Sequence, residues 1–159
     1  MATAPLFVLV MRHGEKLKDP RDPHLSPSGA ARAKELAGYI PESFGRPDFI
    51  FATAPSKHSV RPYETVEPLS KRTGIPIEDS YADQDYGALA ADLRSGGSTA
   101  GKKGVICWHH GNIPPLLHAL GAKDGEFPDP WDRDVFNLIL KVEFTDGEAP
   151  KVSKVVEPF

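Results

Sequence analysis

The sequence predicts an α/β fold: a three-layer sandwich with a mostly parallel central sheet and helices on both faces. Short apolar runs of strand length alternate along the chain with segments whose apolar residues recur at helical spacing. This alternation builds strand–helix–strand units, whose strands pair in parallel. The length of 159 residues, 40% of them hydrophobic, is enough for one self-sufficient core. We therefore expect a single domain over residues 1–159.

The first half of the chain predicts two strand–helix units and a weak third strand. The first helix has a clear start, because Ser26 can cap it and Pro27 suits its first position. Pro62 in the second helix must lie in its first turn. The expected elements are a strand Leu6–Met11, a loop Lys16–His24, a helix Pro27–Pro41, a strand Phe49–Ala52, a helix Ser59–Arg72 and a strand Ile75–Ile77.

The second half predicts two helices, a strongly apolar strand and a closing strand pair. The turn Asp146-Gly147 separates the last two strands, and this pair is expected to include an antiparallel edge. The expected elements are a helix Tyr86–Arg94, a loop Ser95–Lys103, a strand Val105–Trp108, a helix opened by Pro114-Pro115 and ended by Gly121, and strands Val135–Phe144 and Lys151–Val156.

Composition excludes several classes of function. The net charge of −3 argues against nucleic-acid binding, which needs a basic surface. No apolar run reaches the roughly 18 residues of a membrane span, and no secretory signal is visible. Cys107 is the one cysteine, so a reducing, cytoplasmic location is the simplest expectation. Nothing in the sequence indicates an oligomeric state.

Arg12-His13-Gly14-Glu15 is the most informative motif, because it directly follows the first predicted strand. In open α/β sheets, ligands bind at the carboxyl ends of the strands. The arginine fork suits a phosphate group, and a neutral histidine can attack phosphorus or act as a base. This motif predicts a site for a phosphorylated ligand.

Two further segments repeat this placement. His109 and His110 follow the strand Val105–Trp108, and Arg61 follows the strand Phe49–Ala52. On an extended backbone, adjacent side chains point to opposite sides. Only one of the two histidines is therefore expected to enter a given pocket.

The chain resembles the histidine phosphatase superfamily, which has the phosphoglycerate-mutase-like fold. Four segments carry the resemblance, in the family's order: Arg12-His13-Gly14-Glu15, Leu25–Ala33, Ser56–Thr65 and His110-Gly111. The short chain is most similar to the small phosphohistidine-phosphatase-like branch. It departs from the family pattern around Arg61, where Val60 and Pro62 replace the usual leucine and alanine.

The resemblance implies roles for individual residues. His13 matches the family's nucleophile, which forms a phosphohistidine, and Arg12 and Arg61 match its phosphate-binding arginines. His110 matches the second histidine of the pocket, which holds the phosphoryl oxygens, so His109 is expected to be structural or exposed.

The candidate proton donor departs from the family pattern. The family uses a glutamate in L-x-E-x-x-x-G, where this chain has aspartate in Tyr81–Gly87. Asp83 is the candidate donor, and Asp85 is the alternative.

The expected function is a metal-independent phosphatase that acts through a phosphohistidine on His13. Neither a metal nor a cofactor is expected, because guanidinium groups can balance the phosphoryl charge. The substrate would be a small phosphomonoester, a phosphoamidate or a phosphohistidine protein. A phosphoglycerate-type mutase and a weakly catalytic module that binds a phosphorylated ligand are the alternatives. Specificity is expected to depend on the loops Lys16–His24, Ser80–Gly87 and Gly121–Asp134.

Overall fold

A computed structural model describes residues 3–159 as one mixed sheet with flanking helices. The strands are β1 (Phe7–Arg12), β2 (Phe49–Ala52), β3 (Ile77–Glu78), β4 (Lys103–Trp108), β5 (Leu138–Glu143) and β6 (Lys151–Val156). The helices are α1 (Pro27–Phe44), α2 (Arg61–Thr73), α3 (Tyr86–Leu93) and α4 (Ile113–Ala119), and short 3₁₀ turns cover Asp83–Asp85 and His110–Asn112.

The strand order is β3-β2-β4-β1-β5-β6. The pairs β1–β4, β2–β4 and β2–β3 are parallel, whereas β5 runs antiparallel to both β1 and β6. The mostly parallel sheet and the antiparallel edge of the sequence prediction are therefore confirmed.

The helices cover both faces of the sheet. Buried side chains of α1 and α2 pack with Leu9 and Met11 on one face, and those of α3 and α4 pack with Val8 and Val10 on the other. This alternation along β1 follows from the two-residue period of a strand. The architecture is the predicted three-layer sandwich. No helix within residues 3–159 has the length and hydropathy needed to cross a membrane.

Two predicted element boundaries are wrong because local hydrogen bonds compete with the sheet. The carbonyl of Ile75 accepts a hydrogen bond from Ser70 Oγ at 2.5 Å, so Ile75 completes the end of α2 and β3 begins two residues later. Val135 donates to the Asp132 carbonyl at 3.0 Å and accepts from Trp131 Nε1 at 3.0 Å. Val135 is thus held in a turn before β5.

The prediction that the first helix ends at Pro41 is wrong, because α1 continues to Phe44. Proline lacks the N–H that would bond to an earlier carbonyl, yet its own carbonyl can still accept one. Gly45, at a φ of 89°, donates to the Pro41 carbonyl at 3.0 Å and ends the helix. The predicted start is confirmed, since Ser26 Oγ accepts from the Gly29 N–H at 3.1 Å.

The sheet order creates a crevice at one edge. Strands β1 and β4 are neighbours, but the helices that follow them, α1 and α4, pack on opposite faces. Such a switch point leaves a cleft beyond the carboxyl ends of the two strands, and ligands of α/β proteins bind there.

The loop after β1 lies directly against the start of α1. A Cβ atom on Gly29 would lie 2.9 Å from the Glu15 nitrogen and would clash with the Glu15 carbonyl oxygen. Ser26 also donates its N–H to that carbonyl at 2.9 Å. Gly29 therefore allows the close approach that supports the Arg12–Glu15 segment.

Replacement of Gly29 by alanine should lower the free energy of unfolding by about 2–3 kcal/mol, because the backbone of Glu15 must move. Gly38→Ala is a matched control in the same helix, since the nearest atom to its new Cβ would be Arg72 Nη1 at 3.5 Å. This control should be neutral or stabilising by up to about 1 kcal/mol. Chemical denaturation measures both. Equal effects of the two substitutions would contradict the proposed contact.

Candidate active site

His13 lies just beyond the end of β1, and only 3% of its surface is exposed. Its Nδ1 is 2.6 Å from the carbonyl oxygen of Gly14. Because a carbonyl only accepts, Nδ1 carries the proton and Nε2 keeps its lone pair. Burial lowers the pKa of His13 to about 3, and neighbouring Arg12, His109 and Arg61 oppose its protonation further. His13 is therefore a neutral imidazole of fixed tautomer.

Arg12 ends β1 and is likewise 3% exposed. Its Nη1 donates to the carbonyls of Arg133 and Val135, and its Cζ lies 3.9 Å from the centroid of the Phe136 ring. Burial lowers its pKa to about 10, which leaves the group charged at neutral pH. The buried Nε has no hydrogen-bond partner within residues 3–159. The Nε–H of Arg12 is thus available to donate a hydrogen bond to an anion.

Arg61 begins α2, and the loop before α1 orients its guanidinium. Nε donates to the His24 carbonyl at 3.2 Å, Nη2 donates to the Asp22 carbonyl, and Nη1 lies 3.4 Å from Ser59 Oγ. Burial lowers the pKa of Arg61, and Asp22 and Glu64 oppose that effect. Arg61 in turn lowers the pKa of Arg12, so the two guanidinium groups repel each other. A bound dianion would relieve this repulsion.

Thr65 connects α2 to the loop after His13, a role that sequence reasoning missed. Its Oγ1 accepts the Gly14 N–H at 2.9 Å and donates to the Arg61 carbonyl at 2.7 Å. The sequence signal was the position of Thr65 one helical turn after Arg61, which places its hydroxyl over that carbonyl.

The two histidines after β4 occupy different positions. Arg12 pairs with Trp108, so the next residues in this register, His13 and His109, stand opposite each other. Their ring centroids are 5.5 Å apart at an interplanar angle of 71°. His110 instead lines the mouth of the cleft beside Lys16 and Arg133. The resemblance assigned the pocket position to His110, whereas the ring beside that of His13 belongs to His109.

Burial lowers the pKa of both histidines, and the positive charges of the cleft lower it further. Arg61 and Arg12 act on His109, whereas Arg12 and Lys16 act on His110. Both imidazoles are therefore biased toward the neutral form.

Asp83 lies beside these histidines, at the start of the 3₁₀ turn before α3. Its carbonyl accepts from Trp108 Nε1 at 3.0 Å and from Asn112 Nδ2 at 3.4 Å, which fixes the turn against β4. Its carboxylate raises the pKa of His109 and of His110, so it is close to both. The buried Oδ1 has no partner within residues 3–159. Asp85, on the same turn, is exposed.

A partly buried ion network anchors the loop that follows His13. Arg32 donates to both carboxylate oxygens of Glu15 at 2.9 and 3.0 Å, and its Nη1 donates to Glu157 Oε1 at 2.9 Å and to the Phe159 carbonyl at 2.8 Å. Burial raises the pKa of Glu157 to about 7 against the opposing effect of Arg32. Below about pH 7 the Arg32 cation is therefore paired with the Glu15 carboxylate, and Glu157 is mostly protonated.

Other chemistries have little support in this cleft. No group of three His, Cys, Asp or Glu side chains in residues 3–159 is arranged to hold a metal ion. Cys107 is fully buried, and burial raises the pKa of its thiol, so it does not supply a thiolate nucleophile.

Comparison with known proteins identifies the fold. No family model matches the sequence, and no curated protein matches it. Solved structures do match over nearly the whole chain. The protein histidine phosphatase SixA complexed with tungstate has a TM-score of 0.68 at 15% identity, covering 94% of this chain and 96% of its own.

Two other solved structures extend the likeness to enzymes with different names. A mycobacterial glucosyl-3-phosphoglycerate phosphatase has a TM-score of 0.61 at 16% identity, covering 95% of this chain and 97% of its own. A Plasmodium falciparum phosphoglycerate mutase has a TM-score of 0.58 at 14% identity, covering 96% and 89%. The chain therefore has the histidine phosphatase fold, as the sequence motifs indicated.

The ion network predicts a pH dependence of stability. The pKa of Glu157 is raised on folding, so its contribution is fully present below its unfolded value of about 4.5 and is lost as the pH rises through about 7. Between pH 5 and 8 the free energy of unfolding of the wild-type protein should fall by on the order of 2 kcal/mol more than that of Glu157→Gln, whose side chain cannot ionise. Denaturant titrations across this range measure the difference. The exposed control Glu148→Gln should follow the wild-type curve, and a wild-type profile for Glu157→Gln would contradict the assignment.

Proposed function

We propose that the protein is a phosphatase that hydrolyses a phosphomonoester or phosphoamidate through a phosphohistidine on His13. One observation carries the proposal: the buried, neutral His13 has its Nδ1 held by Gly14, which leaves the Nε2 lone pair free, and the charges of Arg12 and Arg61 both lower its pKa. This arrangement supplies a nucleophile and a binding site for the phosphoryl group at the same place.

In the first step, the Nε2 lone pair of His13 forms a bond to phosphorus while the bond from phosphorus to the leaving group breaks. The Asp83 carboxyl gives its proton to the departing oxygen or nitrogen. In the second step, water attacks the phosphohistidine, Asp83 takes a proton from that water, and the P–N bond breaks to release phosphate. Both steps leave His13 with its Nδ1–H bond to Gly14 intact.

The charge that spreads over the phosphoryl oxygens in each transition state needs fixed donors. Arg12 and Arg61 are proposed to provide them, because backbone carbonyls already hold each guanidinium in place. A second histidine would donate to the same oxygens. The contact with His13 favours His109 for this role over His110, the match implied by the family motif.

The substrate is proposed to be a small phosphorylated compound or a phosphohistidine protein, acted on in the cytoplasm and without a metal. The likeness to phosphatase structures, one of which holds tungstate, supports binding of tetrahedral oxyanions. The likeness to a phosphoglycerate mutase keeps a mutase as the alternative. An assay for interconversion of phosphoglycerates separates the two.

His13→Gln should lower the turnover of p-nitrophenyl phosphate by at least about a thousandfold, because it removes the nucleophile. The remote, partly exposed His118→Gln is the control and should retain wild-type turnover. Thermal unfolding checks that both variants are folded. Wild-type activity should also survive EDTA and be inhibited by vanadate. A folded His13→Gln protein with near-normal turnover would refute the mechanism.

His109→Asn should reduce kcat about a hundredfold, since an oxyanion donor typically contributes this much. His110→Asn, at the mouth of the cleft, should act mainly on KM. Steady-state kinetics of the two variants at one pH make the comparison. The opposite ranking would return the phosphoryl-binding role to His110.

Asp83→Asn should slow the hydrolysis of an alkyl phosphate at least tenfold more than that of p-nitrophenyl phosphate. The nitrophenolate leaves without a proton, whereas an alkoxide needs one. Asp85→Asn is the matched control on the same turn. If Asp85→Asn shows the selective loss instead, the proton donor is Asp85, and equal slowing of both substrates would exclude Asp83.

A further inference from the structure

We propose that the substrate carries a second anionic group on its leaving-group side and that a cationic groove beside His13 binds it. The groove is lined by Lys16, Lys18, His110, Arg133 and Phe136, together with the carboxylates of Glu15 and Asp134. This inference rests on the proposed phosphatase function and specifies the substrate class of the same site.

The groove has the size of a small-molecule site. Its cavity volume is about 680 Å³, within the range of roughly 300–1,000 Å³ common for such sites. Lys16 and Lys18 come from the loop after β1, and Arg133 and Phe136 come from the segment before β5. Two separate parts of the chain therefore form its walls.

Phe136 joins the groove to the reaction centre. Its ring centroid lies 3.9 Å from Arg12 Cζ and 6.2 Å from the His13 ring centroid. His110 provides a second link, because Arg12 and Lys16 both lower its pKa. A group bonded to a phosphoryl at His13 can therefore extend over Phe136 into the groove.

The charge of the groove is opposite to that of the whole protein. The chain has a net charge of −3, yet within residues 3–159 Lys16, Lys18 and Arg133 have no carboxylate partner within 4 Å. Of the two carboxylates on its wall, Glu15 is bound by Arg32, which leaves Asp134 as the opposing charge. Three cations against one free carboxylate, beside the proposed phosphoryl-binding site, favour a ligand with a further negative charge.

A pair of probes that differ in one charge tests this inference. 4-Carboxyphenyl phosphate and 4-carbamoylphenyl phosphate share a ring and nearly the same size, but only the first carries a distal anion. We expect the wild-type kcat/KM to be about tenfold higher for the carboxylate probe at low salt. This preference should decrease as the salt concentration rises, because the cations are exposed.

The triple variant Lys16→Gln, Lys18→Gln, Arg133→Gln should reduce the preference to about one. A control triple variant, Lys34→Gln, Lys71→Gln, Lys151→Gln, makes the same change in net charge at exposed positions away from the groove. It should keep the tenfold ratio. If the control loses the ratio as well, the preference comes from the net charge of the protein, and the inference is wrong.

The remaining outcomes separate the inference from the function on which it rests. Turnover of p-nitrophenyl phosphate with equal kcat/KM for the two probes would overturn the second anionic group and leave the phosphatase intact. No discrimination between the probes, together with groove-dependent dephosphorylation of an acidic phosphohistidine protein, would assign the groove to protein docking and overturn the small substrate. Absence of turnover on all aryl phosphates would overturn the phosphatase and the inference together.

Discussion

The parallel pairing of β1 with β4 decides where the reactive side chains meet. The register sets Arg12 opposite Trp108, so the chain leaves the two strands with His13 facing His109. Because the helices after these strands pack on opposite faces, the backbone opens at this point into a cleft. A shift of one residue would turn His109 away from His13.

Burial and neighbouring charges determine the protonation states of the side chains in the cleft. His13 is buried among cations and stays neutral, while the arginines keep their charge at neutral pH. Backbone carbonyls already hold each guanidinium, so little reorganisation would be needed for the proposed binding of a phosphoryl group. The loop after His13 is also fixed, because Thr65 Oγ1 accepts a hydrogen bond from Gly14 and Arg32 donates one to Glu15. The site is thus supported by α1, α2 and the end of the chain.

Much of this arrangement follows from the sequence, and the parts that do not have physical causes. The strand end that holds Arg12 and His13, and the position of Arg61 in the segment after the second strand, were predicted from apolar runs and the residues after them. The choice between His109 and His110 depends on the register between strands that are far apart in sequence, which a local pattern does not contain. The Arg32 network joins residues 15, 32 and 157, and nothing in their spacing indicates the contact.

The hydrogen bond from Nδ1 of His13 to the Gly14 carbonyl is proposed to leave Nε2 as the nucleophile. Phosphorus-31 NMR of enzyme quenched in alkali during turnover, with peptide mapping by mass spectrometry, determines which nitrogen carries the phosphoryl group. The structure predicts a phosphohistidine at residue 13 with phosphorus on Nε2. Phosphorus on Nδ1, or on a residue other than His13, would contradict this account.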